Sequence, residues 1–370
     1  MKIAFDYQIF TQQRYGGISK YYQTLAAQLN ELEQSALIFA GLHRNNYLST
    51  LPKGTVNGYK LAKFPPKTAK LIQRINHYLT EHQIKSWRPQ IIHETYYSNF
   101  SNFSNYAPRI VTAYDLIHEL FPKEVKAKKN DLITQRKINS FKRADHIISI
   151  SHNTKKDLIE IFDLPPEKIS VVHLASEPPI RRDNSGLQAM DSKPFLLFVG
   201  PRSGYKNFIG LLEAFSNSSR LMNEFNIVAF GGGSLTSKEL SIIKIKGFSE
   251  GQVKQIGGSD SVLMALYVEA SAFVHPSIYE GFGIPPLEAM TYNCPVISSN
   301  TSSMPEVIGD AGEYFDPKDS ESIRSAIESV VFSDSRTNYL KLKGSERLKI
   351  FSWENCAKQT LDIYKNIASS

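Results

Sequence analysis

His275-Pro-Ser-Ile-Tyr-Glu-Gly-Phe-Gly-Ile-Pro-Pro-Leu-Glu-Ala-Met290, continuing through CPVISSNTSSMPEVI to Ile308, confines two carboxylates and a glycine-rich turn to nine residues. Glu280 and Glu288 bracket Gly281-Phe282-Gly283. The run SAFVHPS before them is short, apolar and closed by turn residues, which predicts a buried parallel strand; PPLEAM after them has the proline signature of a helix start. A strand, a glycine turn and a helix together form an anion site. The first N–H groups of a helix have no intrahelical acceptor and carry about half a positive charge, so a phosphate can rest on them where glycine permits its approach.

The two glutamates call for separate explanations. On a continuous helix eight residues span roughly 12 Å, whereas the carboxyls of a retaining glycosidase stand about 5 Å apart. They suit the two ends of one long ligand better than a glycosidase pair. The bland alternative is a surface loop followed by a helix with an acid near its start.

The Glu-x7-Glu spacing within HPSIYEGFGIPPLEAM, followed by CPVISSNTSSMPEVIGDAGEYFDP, resembles family 4 of the retaining nucleotide-sugar glycosyltransferases, which have the GT-B fold. The resemblance implies that Glu280 hydrogen-bonds hydroxyls of the donor sugar. It implies further that Phe282, Gly283 and Ile284 present amides to the diphosphate, with Gly281 beside them in the donor site, and that Glu288 takes the ribose hydroxyls. An ionised carboxylate suits these tasks, because its charge-assisted hydrogen bonds are roughly twice as strong as neutral ones.

Length and composition agree with an enzyme of this type. A chain of 370 residues exceeds the size at which one core stops growing, so two α/β domains are expected, and 41% hydrophobic content is ordinary for a soluble protein. Two cysteines, Cys294 and Cys356, suggest no disulfide framework and no metal-ligand cluster. Met1-Lys2-Ile3 leads directly into a strand, and no apolar run approaches the ~18 to 20 residues needed to span a bilayer. The expectation is a cytoplasmic protein whose membrane association, if any, is peripheral at the inner face.

Charge divides the chain unevenly. Residues 1–185 hold 26 Lys and Arg against 16 Asp and Glu, while residues 186–370 hold 17 against 20. The segment SEPPIRRDNSGLQAMDSK, 176–193, reads as a linker. It predicts a boundary between two stretches that each alternate strands with helical patterns, and the resemblance makes 1–180 an N-terminal Rossmann-like acceptor domain, 190–355 a C-terminal Rossmann-like nucleotide-sugar domain and 356–370 a terminal helix. The resemblance adds that the domains face each other across a cleft and that the helix crosses back onto the first.

In the first half, KIAFD predicts a strand, and Gly16-Gly17 precedes a helical pattern through Ile18, Tyr21, Leu25 and Leu29. No GxGxxG occurs, which argues against a dinucleotide cofactor, but a glycine turn at the carboxyl end of a first strand is where open α/β sheets bind ligands. QRYGGISKYY resembles the family loop beside the donor diphosphate and acceptor, which assigns Gly16 and Gly17 to donor binding. PQIIHETYY and RIVTAYDLIHELFP carry His93, Asp115 and His118 toward one sheet edge. A lone histidine there is usually structural. YDLIHELFP resembles the family's HDL-x-HE-x-FP segment, which gives His118 a place beside the reacting carbon; Tyr114 stands where that pattern has its first histidine.

The second half opens with PFLLFVGPRSGYKNFIGLLEAF, a strand, loop and helix whose loop holds Arg202 and Lys206. Cations in a loop are ordinarily solvated. VGPRSGYKNF resembles the family's VG-x-R-x-x-YKN loop, however, which implies that both stabilise the departing diphosphate. A cation and a phosphate at about 4 Å attract by roughly 4 kcal/mol at an effective dielectric near 20, before desolvation. NIVAFGGGS and KQIGGSDSVLMALYVEAS resemble the base-binding part of the fold, where backbone near Gln255 and Ile256 would meet the nucleobase.

No Asp-x-Asp triplet occurs, so no divalent metal and no cofactor beyond the nucleotide-sugar substrate is expected. With no evident carboxylate nucleophile, front-face displacement is favoured and a covalent intermediate stays open. HETYYS, YDLIHELFP and YEGFGIPPLEAM look most like bacterial enzymes that extend surface polysaccharides, many of them from GDP-mannose; the expected partners are a nucleotide sugar and a glycan or lipid-linked glycan acceptor. The enzyme alternatives within the same fold are a UDP-sugar transferase, a phosphorylase and a nucleotide-sugar epimerase. A nucleic-acid-binding module using the basic first half is another, without zinc-finger or RNA-binding signature. Two basic clusters, Lys60, Lys63, Lys67, Lys70 and Arg74, and Lys123, Lys126, Lys128 and Lys129, suit either an anionic membrane surface or a solvated face.

Overall fold

A computed structural model of the chain describes residues 1–99, 106–124, 132–176, 193–202 and 204–369. The expected linker falls almost wholly outside the described residues, as do Lys126, Lys128 and Lys129.

The first sheet contains β1 (Lys2–Phe5), β2 (Ser35–His43), β3 (Val56–Lys60), β4 (Ile91–Glu94), β5 (Arg109–Ala113), β6 (His146–Ser149) and β7 (Ile169–Val171). The second contains β8 (Phe195–Val199), β9 (Asn226–Phe230), β10 (Val253–Ile256), β11 (Ala272–His275), β12 (Val296–Ser299) and β13 (Gly312–Phe315). Each is parallel throughout, ordered β3-β2-β1-β4-β5-β6-β7 and β10-β9-β8-β11-β12-β13. Both orders reverse beside their first strand, between β1 and β4 and between β8 and β11. Such a reversal sends the helices after the two strands to opposite faces and opens a crevice at the strands' carboxyl ends.

Parallel strands covered on both faces read as continuous apolar runs rather than alternating ones. FLLFV in β8 and AFVH in β11 are of this kind, and every residue of both except Val199 is buried. Around them Phe208, Leu211, Leu212 and Phe215 from helix Phe208–Ser216 pack with Ile323, Ile327 and Val330 from helix Ser320–Val331 to form the second core.

By contacts the chain divides into one unit of 1–119, 128–174 and 353–370 and another of 120–127 and 175–352. The closing helix, Trp353–Ser369, therefore belongs with the first unit, and its amphipathic pattern meets helix Gly17–Glu31. Its Cys356, Ala357, Thr360, Leu361 and Tyr364 are buried. Tyr364 Oη lies 2.5 Å from Nδ1 of the fully buried His93. Burial pushes His93 down to about 3, so the ring is a neutral hydrogen-bonding group that seats the terminal helix on β4.

Candidate active site

In the second unit the strand order puts the loops leaving β8 and β11 side by side, and these loops carry Lys206 and Glu280. The loop after β8 turns into a 3-10 helix, Gly204–Lys206, and Ile278 N–H donates to the Tyr205 carbonyl at 2.7 Å. That bond tethers the two loops and brings Lys206 Nζ to 2.5 Å from Glu280 Oε1. His275, the last residue of β11, adds Nε2 at 3.3 Å from the same oxygen. Glu280 is 9% exposed. Burial alone would raise its pKa, but Lys206 and His275 outweigh burial and hold it at about 2. Burial pushes His275 below the ordinary imidazole range despite Glu280. The ring lies beside the carboxylate at 3.3 Å, with Nε2 outside hydrogen-bond geometry.

The backbone around Glu280 is fixed from β12's following loop. Glu280 N–H donates to Ser302 Oγ at 3.0 Å; Ser303 Oγ donates to the carbonyls of Glu280 and Phe282 at 3.0 and 2.8 Å; Thr301 Oγ1 donates to the Ile278 carbonyl at 2.8 Å. Gly283 then caps helix Ile284–Thr291 with φ 107°, a left-handed conformation that favours glycine. A Cβ there would lie 2.4 Å from Met304 Cε. Because Pro285 and Pro286 have no N–H, the helix start itself can offer the amides of Gly283 and Ile284. One turn further, Glu288 accepts from Tyr267 Oη at 3.2 Å, and Tyr267 comes from the neighbouring helix Asp260–Glu269.

Arg202 is placed differently from Lys206. Nε donates to Glu239 at 2.9 Å, Nη1 to the Gly231 carbonyl at 2.8 Å, and Nη2 to the Gly233 and Ser234 carbonyls at 2.9 Å each. Three of its five N–H groups thus shape the glycine turn after β9 and a fourth meets Glu239, leaving one N–H of Nη1 without a partner among the described residues. Gln255 and Ile256 close the same turn: Gln255 Nε2 donates to the Gly231 carbonyl at 3.3 Å, and the Ile256 carbonyl accepts from Gly231 N–H at 2.9 Å. Glu280, Lys206, Gly281, Phe282, Gly283, Ile284 and Glu288 therefore share one edge with a turn that Arg202 frames.

The remaining sequence candidates lie in the first unit. Gly16 caps helix Gly17–Glu31, and Gly17 is its first residue, at the carboxyl end of β1. Gln13 Oε1 takes the Ser19 N–H at 3.1 Å, so the free ends of this helix start are the amides of Gly17 and Ile18. His118, half-buried on the short helix Ile117–Leu120, follows β5. Its segment is braced by Lys137 Nζ, 2.8 Å from the Asp115 carbonyl and 2.9 Å from Glu119 Oε2.

Sequence reasoning missed His275, Ser302, Ser303 and Tyr267. Only His275 carried a local signal, five residues before Glu280. The serines and Tyr267 meet the site through the adjacency of β11, β12 and a helix, which no spacing reveals.

Two open parallel sheets with glycine turns at their carboxyl edges define a GT-B architecture. Residues 15–175 match Glycosyltransferase Family 4 and residues 180–347 match Glycosyl transferases group 1, and the chain belongs to this family. It is 33% identical over 237 residues to O-antigen chain mannosyltransferase B of Escherichia coli, covering 61% of this chain and 62% of that protein. It is 29% identical over 192 residues to O-antigen chain mannosyltransferase RfbU of Salmonella typhimurium, covering 52% of each. The matches thus span less than two thirds of these curated relatives. Among solved structures, sucrose-phosphate synthase of Thermosynechococcus elongatus superposes with a TM-score of 0.74 at 18% identity, covering 100% of this chain and 99% of that one. WaaG, a glycosyltransferase involved in lipopolysaccharide biosynthesis, gives 0.68 at 15% identity, covering 98% and 99%. At these identities the likeness is one of fold.

Proposed function

We propose that the protein is a retaining, metal-independent hexosyltransferase that moves mannose from GDP-mannose onto a growing cell-surface glycan. The observation that carries this reading is the pairing of half-buried Lys206 with buried Glu280 beside the Gly281–Ile284 segment. As the glycosidic bond breaks, charge accumulates on the leaving diphosphate, and Lys206 with the amides of Gly283 and Ile284 is preorganised to meet it. Glu280, ionised at neutral pH, accepts donor-sugar hydroxyls, and Glu288 accepts from the ribose. Arg202 acts by fixing the glycine turn and with its remaining N–H. The resemblance gives His118 a role toward the donor sugar, and a leaving-phosphate oxygen takes the acceptor hydroxyl's proton in a front-face displacement. The mannose assignment draws on the two relatives named as O-antigen mannosyltransferases; a UDP-sugar donor is the second reading.

Peripheral docking to an anionic membrane is part of the proposal. Its support is helix Ala69–Trp87 and the segment before it, where exposed Lys63, Lys67, Lys70 and Arg74 stand among exposed Leu71, Ile75, Tyr78 and Leu79. Basic and apolar side chains on one outer face suit an interfacial position.

Calorimetric titration with GDP-mannose, GDP, UDP-glucose and UDP is the test of the donor, followed by NMR of the glycosylated product with excess chelator present. GDP-mannose is expected to bind tightest, with activity kept and the anomeric configuration retained. Tighter binding of UDP-glucose would move the donor assignment to the second reading. Inversion, or loss of activity that magnesium or manganese restores, would overturn the mechanism.

A further inference from the structure

The first unit holds a cavity of about 420 Å³ at the carboxyl edge of β1 and β2, lined by the segments that follow those strands and by residues 64–73. Four cations line it, Arg44, Lys67, Lys70 and Arg136, and no carboxylate does among the described residues. None of the four is ion-paired with a described residue. Arg44 is held in place: Nη2 donates to the Gln12 carbonyl at 2.7 Å, and its guanidinium lies 5.7 Å from the Phe64 ring centre, another lining side chain.

The inner wall has a second character. Tyr7 and Gln8 line it and are 1% and 2% exposed. Gln8 Nε2 is anchored at 2.7 Å on Asp6, itself bound to Thr95. Tyr7 Oη and Gln8 Oε1 have no hydrogen-bond partner among the described residues. A buried polar atom left unpaired costs free energy that a bound ligand can recover. Simple charge repulsion on a solvated face would not require either group.

We propose that this cavity binds the acceptor through a phosphate ester carried beside sugar hydroxyls: the four cations take the phosphate, and Gln8 Oε1 and Tyr7 Oη take hydroxyls. The assignment rests on the transferase reading and names the chemistry of its acceptor. Mobile surface cations alone would hold any anion, so the inner wall is what selects a phosphorylated sugar over phosphate itself.

The test is calorimetric titration of the whole protein, saturated with GDP, against mannose 1-phosphate, mannose and inorganic phosphate. Mannose 1-phosphate is expected to bind at least tenfold more tightly than either of the others. Arg44→Gln/Lys67→Gln is expected to weaken it at least tenfold more while leaving GDP affinity unchanged. Equal affinity for inorganic phosphate, no binding of mannose 1-phosphate, or undiminished binding by the double variant overturns the proposal. Two competitors then identify the source of the ester. Displacement by a short-chain prenyl diphosphomannose assigns it to a lipid diphosphate link, and displacement by mannose 6-phosphate to an ester within the glycan; displacement by neither overturns the proposal. The separate GDP titration keeps the two readings apart, because loss of nucleotide binding would strike the donor site and leave the mannose 1-phosphate result standing.

Discussion

Lys206 Nζ and Glu280 Oε1 stand 2.5 Å apart although 74 residues separate them along the chain. Their loops leave β8 and β11, the two strands at which the order of the second sheet reverses. Burial by itself would disfavour the charged form of Glu280, and Lys206 is the largest influence that keeps the carboxylate ionised, so the proposed reading has this pair divide between the sugar and the phosphate of one ligand.

Removing either partner is therefore expected to be severe. Glu280→Ala or Lys206→Ala should lower turnover at least a hundredfold, since loss of one preorganised donor costs ~10² to 10³ in rate. Glu280→Gln should fall between these and the parent, keeping shape and losing charge. Steady-state kinetics on variants with cooperative melting checks this, and near-parental turnover in both alanine variants would remove the pair from the chemistry.

The same pair sets a pH dependence. Glu280 is held at about 2, below its ordinary value, so between the two values the unfolded chain binds the extra proton. Its stabilising contribution, on the order of 3 kcal/mol, is complete above about pH 4.5 and is lost as pH falls toward 2. Denaturant titrations from pH 6 to 2 should show a shallower loss of stability for Glu280→Gln than for the parent; equal slopes would contradict the argument.

Gly283 combines a left-handed φ of 107° with a Cβ position 2.4 Å from Met304 Cε. Gly283→Ala is expected to cost about 2 to 4 kcal/mol of stability from backbone strain and overpacking together, and to weaken nucleotide binding. Adding Met304→Ala should relieve the crowding at the cost of a cavity, leaving the backbone strain and the nucleotide defect. Full recovery of nucleotide affinity in the double variant would show that the conformation of Gly283 does not matter.

Glu288 and Tyr267 provide a cleaner separation of binding from chemistry. Glu288→Ala should raise the Kd for GDP at least tenfold with a much smaller effect on kcat. Tyr267→Phe removes one hydrogen bond to a carboxylate, worth about 1.5 kcal/mol, and should raise the Kd about tenfold or less. Calorimetry and saturation kinetics check both; a kcat effect exceeding the Kd effect would place Glu288 in the chemical step.

Docking to anionic bilayers should respond to charge and to apolar surface separately. Replacing Lys63, Lys67, Lys70 and Arg74 with glutamine should abolish cosedimentation with phosphatidylglycerol liposomes at low salt, at about 1 kcal/mol per cation. Leu71→Ser/Tyr78→Ser should reduce binding with the salt dependence unchanged. Protein that stays in the supernatant under all conditions while glycosylating a water-soluble acceptor would make this face a solvated one.

The amino-acid sequence by itself determined the architecture and much of the second unit's edge. FLLFV and AFVH are uninterrupted apolar runs that only a doubly covered parallel sheet accommodates, and Gly-Phe-Gly-Ile-Pro-Pro can leave such a strand in few ways other than a turn into a helix. Glu280 and Glu288 were legible because both lie within that one local motif. Tertiary structure alone decided which side chains complete it. Ser302 and Ser303 reach Glu280 because β12 pairs with β11, and Tyr267 reaches Glu288 across two helices, contacts without sequence periodicity. It also decided how differently the two loop cations are used. Arg202 and Lys206 stand four residues apart and look alike as charges, yet Arg202 turns onto the carbonyls after β9 while Lys206 meets a carboxylate after β11. Which neighbour a side chain meets follows from strand order, and strand order is fixed by packing over the whole sheet.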